Sequence, residues 1–168
     1  MLRKSIGFLN LLVVALVAGT VFGIWLGYNP VALSSTAYVE QQQGAIRALN
    51  VLMPILGAIG IFLTITSAIL ARAERRTLFI LVAAVACLVT AGLVTRFGNQ
   101  PINAIVITWD PKAAPPEWIM LRDTWWQWHT VRTVASVCGL CLLLLANPMG
   151  KSSGQSDREM HQVLKGTE

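Results

Sequence analysis

Four long apolar runs set the strongest limit on how this chain can fold. They cover approximately residues 6–27, 49–71, 77–95 and 125–146. Each run is close to the roughly 20 residues that a helix needs to cross about 30 Å of hydrocarbon. Because no water is available there to pair with backbone groups, each run must be helical. The sequence therefore predicts an all-α membrane protein in which four transmembrane helices form one bundle domain over residues 1–148. The fourth helix is expected to cover residues 117–146 and to extend beyond the outer face of the membrane.

The charged residues fit this class and argue against nucleic-acid binding. Only 12% of the residues are charged, about half the share in a typical soluble domain. The net charge is +5, but lysine and arginine stand at the ends of the apolar runs and form no basic stripe. We expect membrane lipid around the protein and no nucleic-acid partner.

The basic residues also predict an orientation. Eight of them lie before the first run, in the short loop after the second run and in the tail, whereas five lie on the other side. The positive-inside rule then predicts a plasma-membrane protein with both termini in the cytoplasm and loops 28–48 and 96–124 outside. The first run is longer than the apolar core of a signal peptide, so we expect a retained helix. Residues 149–168, polar and rich in Gly and Ser, are expected to form a disordered cytoplasmic tail.

Small residues recur every fourth position in the first run, at Gly19, Gly23 and Gly27. Such a row lets another helix approach closely. Packing inside the bundle is the interpretation we favour, and a homodimer contact is the alternative. Ahead of the second run, Ser35 or Thr36 suits a helix N-cap.

The fourth run carries an unusual stripe. Read at every third or fourth position, its residues form one helical face; they are Trp118, Arg122, Trp125, His129, Arg132, Ser136 and Gly139. Ionisable groups at this depth normally face the bundle interior or a wet cavity. We therefore predict an outward-facing pocket, with Trp125, Trp126 and Trp128 as an interfacial aromatic belt.

Amide side chains are expected to complete the mouth of this pocket. Pro101 predicts that the third helix ends near Arg96 and that the chain turns there, which places Asn99 and Asn103 at the same end of the bundle. Gln42 and Arg47 at the entry to the second helix are expected to reach it too.

Three segments resemble a known family. The pieces "RFGNQPIN" and "WHTVR", together with "QQQGAIRALNVLMPIL", are similar to the DUF1772 family, also called the anthrone oxygenase-like family. The resemblance extends over nearly the whole chain except the tail. It implies four membrane helices and, from the fungal members that oxidise anthrones to anthraquinones with O₂ and no evident cofactor, an oxygenase. The substrate would be an aromatic or phenolic small molecule, with neither cofactor nor metal expected.

Chemistry then suggests roles for the candidate residues. His129 is the only histidine on the outer side and is the candidate base for an acidic C–H. Arg132, Asn99 and Asn103 are candidate donors to an enolate oxygen. Trp118 and Trp125 are candidates to line a flat slot for the rings, with Arg122, Gln42 and Arg47 as further substrate-binding residues.

Two other classes of function stay open. A non-enzymatic membrane protein that binds a small ligand or acts as an accessory would need the same pocket. A thiol–quinone oxidoreductase would use Cys138 and Cys141 of "CGLC", but apolar surroundings keep thiols inert and we expect these cysteines, with Cys87, to be small packing residues. Asp123 is expected to pair with a nearby arginine and not with a metal.

Overall fold

A computed structural model describes residues 2–147 of this chain, and the regular structure in that range is helical. The helices are α1 (Leu2–Gly27), α2 (Ser35–Leu49), α3 (Leu52–Leu70), α4 (Arg75–Val94), α5 (Gln100–Val106) and α6 (Trp118–Ala146). A short 3₁₀ turn at Pro30–Ala32 follows α1, and a π-helical segment at Thr95–Asn99 joins α4 to α5. The predicted tail lies outside the described residues.

Four spans are long and apolar enough to cross a membrane, which confirms the predicted all-α membrane bundle. They are Leu2–Ala32, Leu52–Leu70, Arg75–Val106 and Trp118–Ala146. Their outward faces are apolar, with large side chains such as Phe8, Phe62 and Phe79 left between 67% and 73% exposed. Such a surface requires lipid around it. The chain is an integral membrane protein.

The third span is longer than the sequence predicted, and the turn expected at Pro101 was wrong. The π-helical segment ends just before Pro101, which then occupies the first turn of α5. Proline is tolerated in a first turn because its missing N–H is one of the donors that a helix start leaves unpaired. The helical path therefore continues to Val106.

The second predicted span also differs in detail, because α2 is a separate helix ahead of α3. Its N-cap is Ser34, whose hydroxyl accepts a hydrogen bond from the Ala37 backbone N–H at 3.3 Å, so the predicted caps Ser35 and Thr36 lie one and two residues too late. The polar face of α2 is solvated, while Tyr38 and Gln42 are buried.

Helices α2 and α5 cover one end of the bundle. Their buried residues Val39, Ile46, Ile102 and Val106 form a core with Trp125 on α6. We call α2, α5 and the first two turns of α6 the cap. A second core lies in the bundle proper, where α6 packs against α4 and α1, and α3 packs against α1 and α4.

The glycine row of α1 does not pack inside the bundle, which corrects the favoured interpretation. Gly19, Gly23 and Gly27 are exposed, and an added Cβ at any of them would meet no atom within 4 Å. The row faces the lipid side of the single chain. A homodimer contact through it remains a prediction.

Candidate functional site

Two cavities meet at one arginine beneath the cap. The cap cavity, of about 150 Å³, lies between the end of α1, α2, the start of α3 and α6. The bundle cavity, of about 210 Å³, lies deeper among α1, α3, α4 and α6. Both are bordered by the same five side chains: Val21, Met53, Pro54, Thr95 and Arg132. Arg132 is thus the charged group common to the two chambers.

Hydrogen bonds fix the guanidinium of Arg132. Its Nε donates to Nδ1 of His129 at 3.0 Å, and its Nη2 lies 2.7 Å from the same atom. Its Cζ lies 5.7 Å from the ring centroid of Trp125, a cation–π distance. A guanidinium only donates, so Nδ1 of His129 must be the acceptor and a neutral imidazole must carry its proton on Nε2. His129 therefore holds the arginine in place.

The His129 ring itself is enclosed. It is 0% exposed and stacks on Trp125 at 5.0 Å with an interplanar angle of 4°, and on Trp126 at 5.5 Å. Within residues 2–147 the ring borders neither cavity. The predicted role as the base that removes a substrate proton stays a prediction. The contacts of His129 support a positioning role.

A chain of amide hydrogen bonds forms one wall of the cap cavity. Tyr28 donates to Gln42 Oε1 at 3.2 Å. Gln42 Nε2 and Trp125 Nε1 both donate to Asn103 Oδ1, at 3.3 and 2.8 Å, and Asn103 Nδ2 donates to Asn50 at 2.9 Å. All five side chains border this cavity. Because each is held by a neighbour, the polar wall is rigid before any ligand arrives.

Four other predicted site residues, of which Trp118 is described below, do not reach either cavity. Asn99 is fully buried and donates its amide to the backbone carbonyl of Trp125 at 3.0 Å. Arg122 pairs with Asp123 at 2.8 Å, which confirms the expected pairing of that carboxylate. Arg47 is exposed on α2. In this arrangement Asn99 and Arg122 serve packing within the cap.

A second cluster in the cap, around Arg122, is separate from the cavities. Arg122 lies 5.0 Å over the ring of Trp118, which in turn packs 5.8 Å from Tyr38. The Tyr38 hydroxyl is buried without a hydrogen-bond partner among the described residues, and burial raises the pKa of Tyr38 well above its usual value. The ring is therefore a neutral phenol, and Trp118 belongs to this cluster and not to the predicted slot.

The structure contains the predicted inward stripe of α6 but not the complete aromatic belt. The buried residues of α6 include Arg122, Trp125, His129, Ser136 and Gly139, so that face points inward as predicted. Trp125 is only 4% exposed, however, and does not lie in a lipid-facing belt, whereas Trp128 is 41% exposed. Trp125 instead separates the amide wall from His129.

Sequence patterns did not predict several residues that border the cap cavity. Tyr28, Asn50, Met53 and Thr95 come from four different segments. Tyr28, Asn50 and Thr95 are polar residues at or beside the ends of apolar runs, and this is the only local signal that they carry. Nothing local links them to Arg132, because their proximity depends on how the helices pack.

The cysteines are placed differently from the packing role expected of them. Cys138 and Cys141 are exposed on the side of α6 that faces away from the bundle, and neither borders the two cavities. Cys87 is half-buried. A route for electrons from the "CGLC" pair to the cap cavity has no support in this arrangement.

Comparison with known proteins points to one family. The family model described as anthrone oxygenase matches residues 42–142. That stretch contains most of α2 through most of α6, including Gln42, Asn103, Trp125, His129 and Arg132. No curated protein and no solved structure shows a significant match to the chain.

Proposed function

The chain belongs to the anthrone oxygenase family, and from this premise we propose that it is a cofactor-independent oxygenase acting on a weakly acidic aromatic molecule. The reaction takes place at Arg132, in the outward-facing cap cavity and its deeper neighbour. The observation that carries the proposal is a guanidinium held by His129 and Trp125 at the border of two largely apolar chambers.

A fixed cation suits the first step of such a reaction. An anthrone has an acidic CH₂ group, and loss of one proton gives an enolate whose charge lies largely on oxygen. A guanidinium has five N–H bonds, of which two are directed to His129. The others are available to bind the enolate oxygen. Stabilising this anion with a fixed donor in a largely apolar chamber favours ionisation. The released proton passes to solvent.

The second step needs only dioxygen. The electron-rich carbon of the enolate forms a C–O bond with O₂, giving a peroxide that is protonated. The peroxide then loses its remaining C–H proton as the O–O bond breaks, leaving a carbonyl and one molecule of water. The balance is CH₂ + O₂ → C=O + H₂O, with the substrate as the reductant.

The size of the cavities indicates how a three-ring substrate lies. Each cavity is smaller than the roughly 300 Å³ of a usual small-molecule pocket. A fused three-ring molecule must therefore extend through both chambers. Met53 borders both, and its flexible thioether chain is the side chain best suited to move aside. The central ring, which carries the oxygen of the enolate, then lies beside Arg132.

The direct test is oxygen uptake by the purified protein in detergent with emodin anthrone, with quinone absorbance as a second readout. We expect Arg132→Gln to lose about 10²-fold or more in kcat/KM, the usual effect of removing a preorganised donor to an oxyanion. Lys112→Gln, on an exposed loop residue, removes the same charge and is expected to leave the rate unchanged. Autoxidation without protein sets the background. Equal rates for Arg132→Gln and Lys112→Gln would overturn the proposal.

Two variants of His129 separate positioning from base catalysis. Glutamine keeps an acceptor for the guanidinium but cannot take a proton at working pH. If His129 positions Arg132, His129→Gln retains most of the activity and His129→Ala loses it. If His129 is the base, both variants are inactive while both still bind the substrate.

A binding protein without catalysis is the second candidate, because the ring of the candidate base borders neither cavity. A rise in melting temperature with emodin anthrone, absent in Arg132→Gln, together with no oxygen uptake above autoxidation would establish it.

A further inference from the structure

A large groove lies at the end of the bundle opposite the cap. It has a volume of about 960 Å³ and is bordered by the start of α1, the start of α4 and the end of α6. Its rim carries Arg3, Lys4 and Arg76. The groove shares no lining residue with the two cavities at Arg132, so its role is independent of the proposed function.

The charge at this end is strongly basic. Among residues 2–147 it holds Arg3, Lys4, Arg72, Arg75 and Arg76 against a single carboxylate, Glu74. Arg3 already pairs with Glu74 at 2.6 Å, whereas neither Lys4 nor Arg76 makes a salt bridge within the described range. Two cations at the rim are therefore available to an anion.

The wall below the rim is apolar. Phe8, Leu11, Ile80 and Leu145 border the groove, and Phe8 and Leu145 are 69% and 68% exposed. Phe8 lies four residues after Lys4, which corresponds to about 6 Å along a helix. Cations at a helix end with apolar surface one turn deeper match the headgroup and acyl chains of a phospholipid.

We propose that this groove binds an anionic phospholipid, with the phosphate on Lys4 and Arg76 and an acyl chain along Phe8, Leu11 and Leu145. A free inorganic anion would make no use of the apolar wall. The chain beyond residue 147 is a weaker candidate, because it carries three basic and three acidic residues and so offers no net charge to the rim. Basic sites of this kind between helices recognise anionic headgroups.

Native mass spectrometry of the full chain tests the proposal. The protein is presented with phosphatidylglycerol and, separately, with phosphatidylcholine of the same acyl chains. We expect retention of phosphatidylglycerol to exceed that of phosphatidylcholine by about tenfold or more, since each of the two basic residues contributes roughly a factor of five. Lys4→Gln/Arg76→Gln should bring the two lipids close to parity.

The matched control removes the same charge at the other end. Arg47→Gln/Lys112→Gln changes two exposed residues and should keep the preference. Equal loss in both double variants would overturn the proposal, because it would report net charge alone. Displacement of the lipid by glycerol phosphate at equal concentration would also overturn it, since the wall would then contribute nothing. Dimer masses that disappear only in Lys4→Gln/Arg76→Gln would assign the groove to a second copy of the chain.

Discussion

At the scale of single residues, α6 places unlike side chains in a fixed order. Trp125 donates to Asn103 on one side and stacks on His129 on the other. His129 accepts from Arg132, whose guanidinium borders both cavities. A substitution at any one of these residues is expected to shift the side chain of the next. Their effects on activity should therefore be strongly non-additive.

Gly98 allows this face of α6 to approach the π-helical segment. A Cβ on Gly98 would lie 2.6 Å from Cγ of Trp128, near the base of that side chain. We expect Gly98→Ala to lower the free energy of unfolding by about 1–3 kcal/mol, the usual effect of overpacking. Thermal unfolding in detergent measures it.

Gly44→Ala is the control for this change. Gly44 is exposed on α2, and an added Cβ would meet nothing within 4 Å. Alanine there should be neutral or stabilise by up to about 1 kcal/mol through its better helix propensity. Equal melting temperatures for the two variants would show that Trp128 moves aside without cost.

At the scale of elements, a buried amide ties α2 to the end of α5. Gln43 Nε2 lies 3.1 Å from the carbonyl oxygen of Val106, 3.4 Å from that of Ile107 and 2.8 Å from that of Trp109. These carbonyls lie where α5 ends, where a helix leaves carbonyls without intrahelical donors. That of Val106 also accepts from the backbone N–H of Trp109 at 3.2 Å, whereas those of Ile107 and Trp109 have no backbone partner within residues 2–147. The Gln43 side chain of α2 thus caps the end of α5.

Removing this amide should loosen the cap before the bundle. We expect Gln43→Ala to destabilise by about 1–3 kcal/mol, because it removes a buried amide and its hydrogen bonds to the end of α5. Hydrogen exchange followed by mass spectrometry should show faster exchange in residues 35–49 and 100–109, with α3 unchanged. Glu40→Ala, at an exposed position on the same helix, is the control. Faster exchange throughout the chain would contradict a local role for Gln43.

At the scale of the whole molecule, charge is divided unevenly between the two ends. The described residues opposite the cap have five basic side chains and one carboxylate, whereas the cap end has five basic side chains and four carboxylates. This asymmetry is what the positive-inside rule uses, and it predicts that the cap faces outward.

Cysteine labelling in intact cells tests that orientation. In a chain whose three cysteines are replaced by serine, Lys112→Cys should react with a membrane-impermeant maleimide, while Arg75→Cys should react only after permeabilisation. Both positions are exposed, so accessibility depends on the side of the membrane. The reverse pattern would invert the topology and place the cap cavity in the cytoplasm.

The sequence by itself determined the number of membrane spans, the inward face of α6 and the family. Apolar length and helical periodicity depend on near neighbours in the chain, so they are visible before folding. The same holds for the pairing of Asp123 with Arg122, which are adjacent in sequence.

Only the tertiary structure decided which polar residues share a site. The cap cavity brings together side chains from α2, α5, α6 and the loops beside them, namely Tyr28, Gln42, Asn50, Asn103 and Arg132. The hydrogen bond between Gln42 and Asn103, for example, joins residues that are 61 positions apart in the sequence. The tertiary structure also decided that Asn99 and Arg122 turn into the cap, that the glycine row of α1 turns outward, and that helix continues past Pro101. Each of these depends on the packing of helices that are distant in sequence, and a local sequence pattern does not specify that packing.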